Sequence, residues 1–297
     1  MTEGRDVASS ASVMLDALRA RIERASAAAA AGEFLDRADA QQAIAALLDA
    51  LERGDVRAAE RDGSGRWNAV MWVKTGIMLA YRVSDLVEMG HVEGSSFRFF
   101  DRHLFGMRHL TLADGIRIVP GGSIIRRGCY VAPGVICMPP MLINIGAHVG
   151  ADTTIDSHAL VGSCAQVGAR VHLSAAAQLG GVVEPANAAP VVIEDDVFIG
   201  GNCGIYEGTV VRRRAVVGSG VILTRGTPVY DVVREVVHRA VDGAPLEIPE
   251  GAVVVPGARP IATGWGAQQQ LSLQTPIIVK YRDEHTDAAI ALEPRLR

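Results

Sequence analysis

Aliphatic side chains recur at every sixth residue through the middle of the chain, as at Val149, Ile155 and Val161. A period of six matches neither the helical period of about 3.6 residues nor the two-residue alternation of a strand. It predicts short flat segments that stack into a parallel coil, each with one aliphatic residue pointing inward. The spaced positions are Ile125, Val131, Cys137, Ile143, Val149, Ile155, Val161, Val167, Leu173 and Leu179, and then, after an interruption, Ile193, Ile199, Ile205, Val211, Val217 and Leu223.

The position four residues after each spaced residue is mostly small or β-branched, for example Ala147, Ala159 and Val171. Three segments of six would complete one triangular turn of 18 residues, and neighbouring turns should lie about 4.8 Å apart, as strands do in a sheet. The small side chains suit the corners, where the backbone has to bend sharply. Ladders of isoleucine, valine and leucine would then give a sizeable core without helices.

The sequence before the repeat predicts three helices. The clearest begins at Asp39, which forms a capping box with Gln42, and it stops at Gly54. Its apolar stripe has helical spacing. The alanine run at 27–31 fits either a helix or a linker. The apolar residues are Val13, Leu18 and Ile22 in the first helix, Ile44, Leu47, Leu48 and Leu51 in the second, and Val73, Ile77, Ala80 and Tyr81 in the third.

The repeat is interrupted once in its middle. Leu179 and Ile193 lie 14 residues apart, two more than two segments of six would give. Residues 180–190 are therefore expected to bulge from the coil as a loop. A regular solenoid that tolerates one interruption usually places function there.

The end of the chain departs from the repeat a second time. The departure falls at about residues 231–247, and a stretch with the six-residue spacing follows at 248–254. Residues 271–281 predict a terminal strand, and the tail from Arg282 predicts a short helix that covers the end of the coil. The chain is thus expected to be mainly β, with an N-terminal α-helical domain at 1–112, a coil domain at 113–260 and a C-terminal strand and helix cap at 261–297.

Composition narrows the function. The 297 residues carry a net charge of −4, which argues against a nucleic-acid or membrane partner. The N-terminus has no apolar signal segment and no apolar run is long enough to cross a bilayer, so we expect a cytoplasmic protein. The four cysteines lack C-x-x-C spacing and are expected to be buried, reduced thiols: Cys129, Cys137, Cys164 and Cys203.

Two runs in the repeat are distinctive: Gly-Ser-Cys-Ala-Gln at 162–166 and Gly-Gly-Val-Val-Glu-Pro at 180–185. They closely resemble tetrahydrodipicolinate N-succinyltransferases, which are hexapeptide-repeat acyltransferases, and the similarity covers roughly residues 40–282. The resemblance implies a left-handed parallel β-helix, since spacing alone does not determine the hand. Other matching features are Asn-Ile-Gly at 144–146, Val-His-Leu-Ser at 171–174, Phe-Ile-Gly at 198–200, Ile-Ile-Val-Lys at 277–280, Trp67, Trp72 and Lys74.

The resemblance implies a reaction. Succinyl-CoA, the co-substrate, would donate its acyl group to the amino group of ring-opened tetrahydrodipicolinate, in the diaminopimelate route to lysine. The amine must be neutral to attack, so a carboxylate or histidine should take its proton. Donor N–H groups should stabilise the oxyanion that forms from the thioester. The resemblance also implies a homotrimer with active sites between the coils, and no metal.

Asp156 and Arg117 are the main site residues that the resemblance implies. Asp156 directly follows an inward-pointing residue, so its side chain should lie on the outer surface of the coil. The matching acid of the family contacts the acceptor and is the catalytic candidate. Arg117 matches a substrate-binding arginine that would grip an acceptor carboxylate. The two would face each other across neighbouring subunits; the alternatives are a solvated turn aspartate and a surface ion pair.

One position departs from the family pattern. Members of the family place a second acid where this chain has Gly204. Glu207 and His158 are candidates to assist Asp156 in catalysis, and for Glu207 a turn-stabilising role fits as well.

The resemblance places coenzyme A in the groove between coils, beside the 180–190 loop. It implies cofactor contacts at Gly180, Gly181, Gly204 and Ser163, with backbone amides meeting the pantetheine. A set of arginines could meet the phosphates, although charged residues on a coil face are more often simply solvated. These are Arg212, Arg213, Arg214 and Arg225.

Three alternatives were weighed. His148, His158 and His172 suggest zinc, but they fall at two different repeat positions without an acidic pattern, and no metal site is expected. Among enzymes, an acetyl-CoA-dependent N-acyltransferase acting on the same or a similar acceptor stays open, because the sequence does not show the donor. A catalytically silent assembly subunit would not need both Arg117 and Asp156.

Overall fold

The repeat forms three parallel sheets in the computed structural model, which describes residues 3–91, 96, 98–241 and 243–285. Each of the sixteen spaced residues is the second residue of a two-residue strand. Thr154–Ile155 pairs with Ile136–Cys137 on one side and with His172–Leu173 on the other, each 18 residues away. The predicted three-segment turn is therefore confirmed.

Successive strands rotate through the three sheets. The first sheet contains Tyr130–Val131, His148–Val149, Gln166–Val167, Val192–Ile193, Val210–Val211 and Glu247–Ile248. The second contains Ile124–Ile125, Leu142–Ile143, Leu160–Val161, Gln178–Leu179, Gly204–Ile205 and Ile222–Leu223. The third contains Arg117–Ile118, Ile136–Cys137, Thr154–Ile155, His172–Leu173, Phe198–Ile199, Val216–Val217, Ala252–Pro260, Ser272–Tyr281, Val229–Asp231 and Val236–His238.

The turns between the sheets share one backbone device. The third residue after a spaced position has a positive φ, for example 57° at Asp152, 63° at His158 and 65° at Cys164. A single left-handed residue reverses the chain in a short turn, at a cost of about 1 kcal/mol when it is not glycine. The bend thus lies one residue before the small position. The small side chains themselves point inward, where Ala159 and Ala165 are buried in the core.

Three helices lie before the coil, as predicted: α1 (Glu3–Ala31), α2 (Arg37–Arg53) and α3 (Met71–Val83). The alanine run belongs to α1. The prediction that α2 begins at Asp39 is wrong, because Asp36 is its N-cap and accepts the backbone N–H of Asp39 at 3.1 Å. Its predicted end is confirmed, since Gly54 has a φ of 78° and forms the C-cap.

The helices pack together and onto the coil. Their buried residues include Leu47, Leu48 and Ile77, and they form one apolar cluster with Ile145 and Cys164 of the coil. Two short hairpins complete this region, Ala59–Arg61 with Trp67–Ala69 and Leu86–His91 with Arg98–Arg102. Two 3-10 turns, His103–Phe105 and Leu112–Asp114, lead into the coil.

The C-terminal part confirms the predicted terminal strand. Ser272–Tyr281 pairs antiparallel with Ala252–Pro260, and helix α4 (Gly264–Gln268) connects the two. The resumed spacing is also confirmed, because Ile248 and Val254 pair with Val211 and Val217. The predicted terminal helix falls mostly at 286–297, outside the described residues.

The central interruption is larger than counting along the chain suggests. No strand lies between Gln178–Leu179 and Val192–Ile193, and these two belong to successive sheets. Val167 and its partner Ile193 are 26 residues apart where 18 separate other partners, so the loop inserts eight residues rather than two. The loop itself is confirmed, and its size is corrected.

Candidate functional site

A groove of about 910 Å³ opens between the 180–190 loop and the hairpin that contains Trp67–Ala69. Tyr206 and Glu207 contribute to the wall from the coil. Arg66 and Arg225 also line it, so cationic side chains lie at the groove. A long, partly polar groove with backbone amides along one wall is suited to an extended anionic ligand.

Lys74 of α3 holds the 180–190 loop in place. Its side chain is fully buried, and its ammonium group donates to the carbonyl oxygens of Pro185, at 3.1 Å, and Ala188. Burial lowers the pKa of Lys74. A buried cation needs such acceptors, so this contact ties the loop to the helical layer.

Glu194 fixes the hairpin wall of the groove. This buried carboxylate accepts the indole N–H of Trp67 at 2.9 Å and the guanidinium of Arg212 at 2.9 Å, and its other oxygen accepts the Arg213 backbone N–H at 3.0 Å. Burial is the largest influence and raises the pKa of Glu194, but these donors together outweigh it, so the pKa lies below its usual value. Arg212 is bonded as well to Glu247, at 2.7 Å.

The base of the loop lies backbone to backbone on the preceding turn. The carbonyl of Ser163 accepts the N–H of Val182 at 3.1 Å. A Cβ on Gly181 would lie 2.8 Å from the Ser163 nitrogen, so glycine is required there for close approach. The structure thus brings together Ser163, Gly180 and Gly181, three of the four predicted cofactor contacts.

Gly204, the fourth, is buried, and the Tyr206 ring covers it. Glu207 lies at the groove in a turn with a φ of 53°, and its carboxylate accepts the Arg225 backbone N–H at 2.8 Å. Of the four arginines considered for phosphates, Arg225 lines the groove, while Arg212 is paired with carboxylates.

Asp156, His158 and Arg117 lie elsewhere on the same protomer. Asp156 follows the strand Thr154–Ile155, is half-buried and accepts the Ser157 N–H at 2.7 Å. His158 is exposed in the next turn. Arg117 is exposed on the same sheet as Asp156, two strands away, which corresponds to about 10 Å at strand spacing. None of the three lines the groove within the part of the chain that is described.

A second cavity of about 390 Å³ adjoins Trp67. Arg57 lies there, with its Nε donating to Gln166 at 3.0 Å and its guanidinium 5.6 Å from the centre of the Trp67 ring system. His148 also lines this cavity and stacks on Tyr130 at 4.6 Å. Burial, followed by the charge of Arg57, lowers the pKa of His148 to about 3.

The other titratable groups fit packing roles. All four cysteines are buried, as predicted, and burial raises the pKa of Cys129, Cys137 and Cys164 to about 12. Across 3–91, 96, 98–241 and 243–285, no group of three or more histidine, cysteine or acidic side chains is placed to hold a metal ion. Over the same residues, no helix combines the length and apolar character of a membrane span.

Sequence reasoning missed the roles of Lys74, Glu194 and Tyr206. The first had one usable signal, because Lys74 is adjacent to Val73 on the buried face of a predicted helix. The other two depend on contacts that no local pattern encodes.

The 18-residue turns define the class, a hexapeptide-repeat protein, and residues 190–225 match the domain described as the hexapeptide repeat of succinyl-transferase. Residues 17–83 match the domain described as tetrahydrodipicolinate N-succinyltransferase N-terminal. This second match covers the three helices and the hairpin at the groove.

Curated relatives agree over most of the chain. A 2,3,4,5-tetrahydropyridine-2,6-dicarboxylate N-succinyltransferase from Polynucleobacter asymbioticus is 39% identical over 264 residues, covering 88% of this chain and 90% of the relative. One from Rhodopseudomonas palustris is 35% identical and covers 95% and 99%. The chain belongs to the tetrahydrodipicolinate N-succinyltransferase family. A hexapeptide-repeat acetyltransferase from Vibrio cholerae, solved with acetyl coenzyme A, has a TM-score of 0.30 and 20% identity, covers 41% of this chain and 62% of its own, and carries no argument.

Proposed function

We propose that this protein transfers the succinyl group of succinyl-CoA to the amino group of ring-opened tetrahydrodipicolinate. The product would be N-succinyl-2-amino-6-oxopimelate, in the diaminopimelate route to lysine. The observation that carries this proposal is 39% identity, over 90% of its length, to a relative named for that N-succinyl transfer. The groove supplies a physical basis that is independent of the name.

The groove under the 180–190 loop is proposed as the donor site. Coenzyme A is long and anionic, and Arg66 and Arg225 at the groove would favour its phosphates. Backbone amides near Gly180, Gly181 and Ser163 would meet the pantetheine and stabilise the oxyanion of the thioester carbonyl. The Lys74 contact would keep these amides in position before the donor binds. No metal is needed for this chemistry.

Asp156 and Arg117 are proposed to serve the acceptor. The amine nitrogen attacks the thioester carbonyl carbon, the C–S bond breaks, and coenzyme A leaves as the thiol. Asp156 would take the proton that the amine loses and pass it to the leaving sulfur, with His158 and Glu207 as candidate assistants. Arg117 would hold an acceptor carboxylate with its guanidinium.

A trimer would bring these groups to one cleft. Asp156 and Arg117 of one protomer lie outside its own groove, so a neighbouring copy is proposed to complete the site. In this proposal the coil winds left-handed and forms the domain at 113–260, with the helical domain at 1–112 and the cap at 261–297. The reaction belongs to cytoplasmic biosynthesis.

Release of thiol tests the proposal directly. The protein is supplied with succinyl-CoA or acetyl-CoA, each with and without the acceptor, and free coenzyme A is followed with a thiol reagent. Rapid release is expected with succinyl-CoA only when the acceptor is present. Faster acceptor-dependent release from acetyl-CoA would overturn the assigned donor, and no acceptor-dependent release from either would overturn the reaction.

A further inference from the structure

One aromatic ring covers two glycines at the groove. A Cβ on Gly204 would lie 2.4 Å from Cε2 of Tyr206 and 2.9 Å from its hydroxyl oxygen. A Cβ on Gly180, on the preceding turn, would lie 2.7 Å from Cδ1 of the same ring. Both distances are far below ordinary contact, so the Tyr206 ring occupies the space that side chains at 180 and 204 would need.

The backbone does not require glycine at either position. Neither Gly180 nor Gly204 has a positive φ, and Gly204 begins a regular two-residue strand. Glycine in a strand costs about 0.5–1 kcal/mol relative to alanine, so two of them in adjacent turns need another cause. That cause is the Tyr206 ring, which lies flat against the sheet because both side chains are missing.

The hydroxyl group is left available by this arrangement. Tyr206 lines the groove, and its hydroxyl makes no hydrogen bond with another residue of the described chain. Two glycines hold the ring in one orientation, so the phenol has lost most of its freedom before any ligand binds. If the ring only filled space, phenylalanine would serve equally well.

We propose that Tyr206 is a substrate-contact residue whose hydroxyl donates a hydrogen bond to a carbonyl oxygen of the bound acyl-CoA. This rests on the proposed function, because it takes the groove as the donor site. The phenol projects from the space above Gly204, so this chain presents a neutral donor at that point of the groove. Gly204 acts indirectly, by making room for the ring.

Tyr206→Phe isolates the hydroxyl. The dissociation constants of coenzyme A and succinyl-CoA, measured by calorimetry without acceptor, are expected to rise about tenfold for succinyl-CoA, which corresponds to one lost hydrogen bond. The melting temperature should stay within about 2 °C of wild type, because the ring remains. Tyr130→Phe is the matched control, since Tyr130 stacks on His148 outside the groove, and its binding should be unchanged.

Gly204→Ala tests the placement of the ring. The added methyl group must displace the ring, so succinyl-CoA should bind about tenfold more weakly than to wild type, and the substitution should cost little more in a Tyr206→Phe background. Equal binding by Tyr206→Phe and wild type, or an equal effect of Gly204→Ala in both backgrounds, would overturn the proposal. These outcomes differ from failure of the proposed function, which would show as no acceptor-dependent thiol release by the wild-type protein.

Discussion

Replacement of His148 by phenylalanine removes a histidine that the fold keeps uncharged. The ring stacks on Tyr130 at 4.6 Å, and its buried Nδ1 has no hydrogen-bond partner among the described residues. Burial, together with the charge of Arg57, lowers the pKa of His148 to about 3, against 6.5 for an ordinary histidine. Phenylalanine keeps the stacking and loses the titration.

The sign and size of the effect follow from these two pKa values. Because the folded value is the lower one, the unfolded chain binds more protons between pH 6.5 and about 3, and stability is lost as the pH falls through this window. Above pH 6.5 the contribution is complete. At pH 5, 1.5 units below the ordinary histidine value, the loss is about 2 kcal/mol per chain.

Urea unfolding at pH 7.5 and pH 5.0 measures this difference. Wild type should lose about 2 kcal/mol more than His148→Phe between the two conditions. His109→Phe, at an exposed position, is the matched control and should lose as much as wild type. If His148→Phe shows the wild-type pH dependence, the reasoning about its burial is wrong.

Three further substitutions test the site. Lys74→Met leaves the carbonyl oxygens of Pro185 and Ala188 without their donor, so stability should fall by about 1–3 kcal/mol and KM for succinyl-CoA should rise; Lys280→Met, at an exposed strand position, should change neither, and an unchanged KM for Lys74→Met would rule out the loop anchor. Glu194→Gln should cost about 1–3 kcal/mol in urea unfolding; because the pKa of Glu194 is lowered, its contribution is present above about pH 4.5 and lost below it, so a variant as acid-sensitive as wild type would contradict this role. Asp156→Ala should keep the assembly seen by light scattering and lose most turnover, while near-normal activity would remove Asp156 from the mechanism.

The repeat could be predicted because its signal is local. Each inward residue, such as Ile155, lies six positions from the next, and the same ladder sets both the spacing and the core. The size of the loop could not be predicted in this way. The distance from Leu179 to Ile193 does not reveal how many sheets the chain visits between them, and only the pairing of Val167 with Ile193 shows that one segment holds eight extra residues.

The candidate site was predictable only in part. Gly180, Gly181 and Ser163 do lie together, because a distinctive local run marks each of them. The bond between Trp67 and Glu194 joins residues 127 positions apart, and Lys74 reaches Pro185 across 111 positions. Such pairs follow from packing of the helical layer on the coil, and one sequence does not contain their geometry.

The most direct test of the central claim is a crystal structure of the protein with coenzyme A and the acceptor. The account predicts coenzyme A in the groove beneath the 180–190 loop, with Asp156 of one copy and Arg117 of another in contact with the same acceptor. Coenzyme A bound elsewhere, or the two side chains too far apart to touch one ligand, would contradict it.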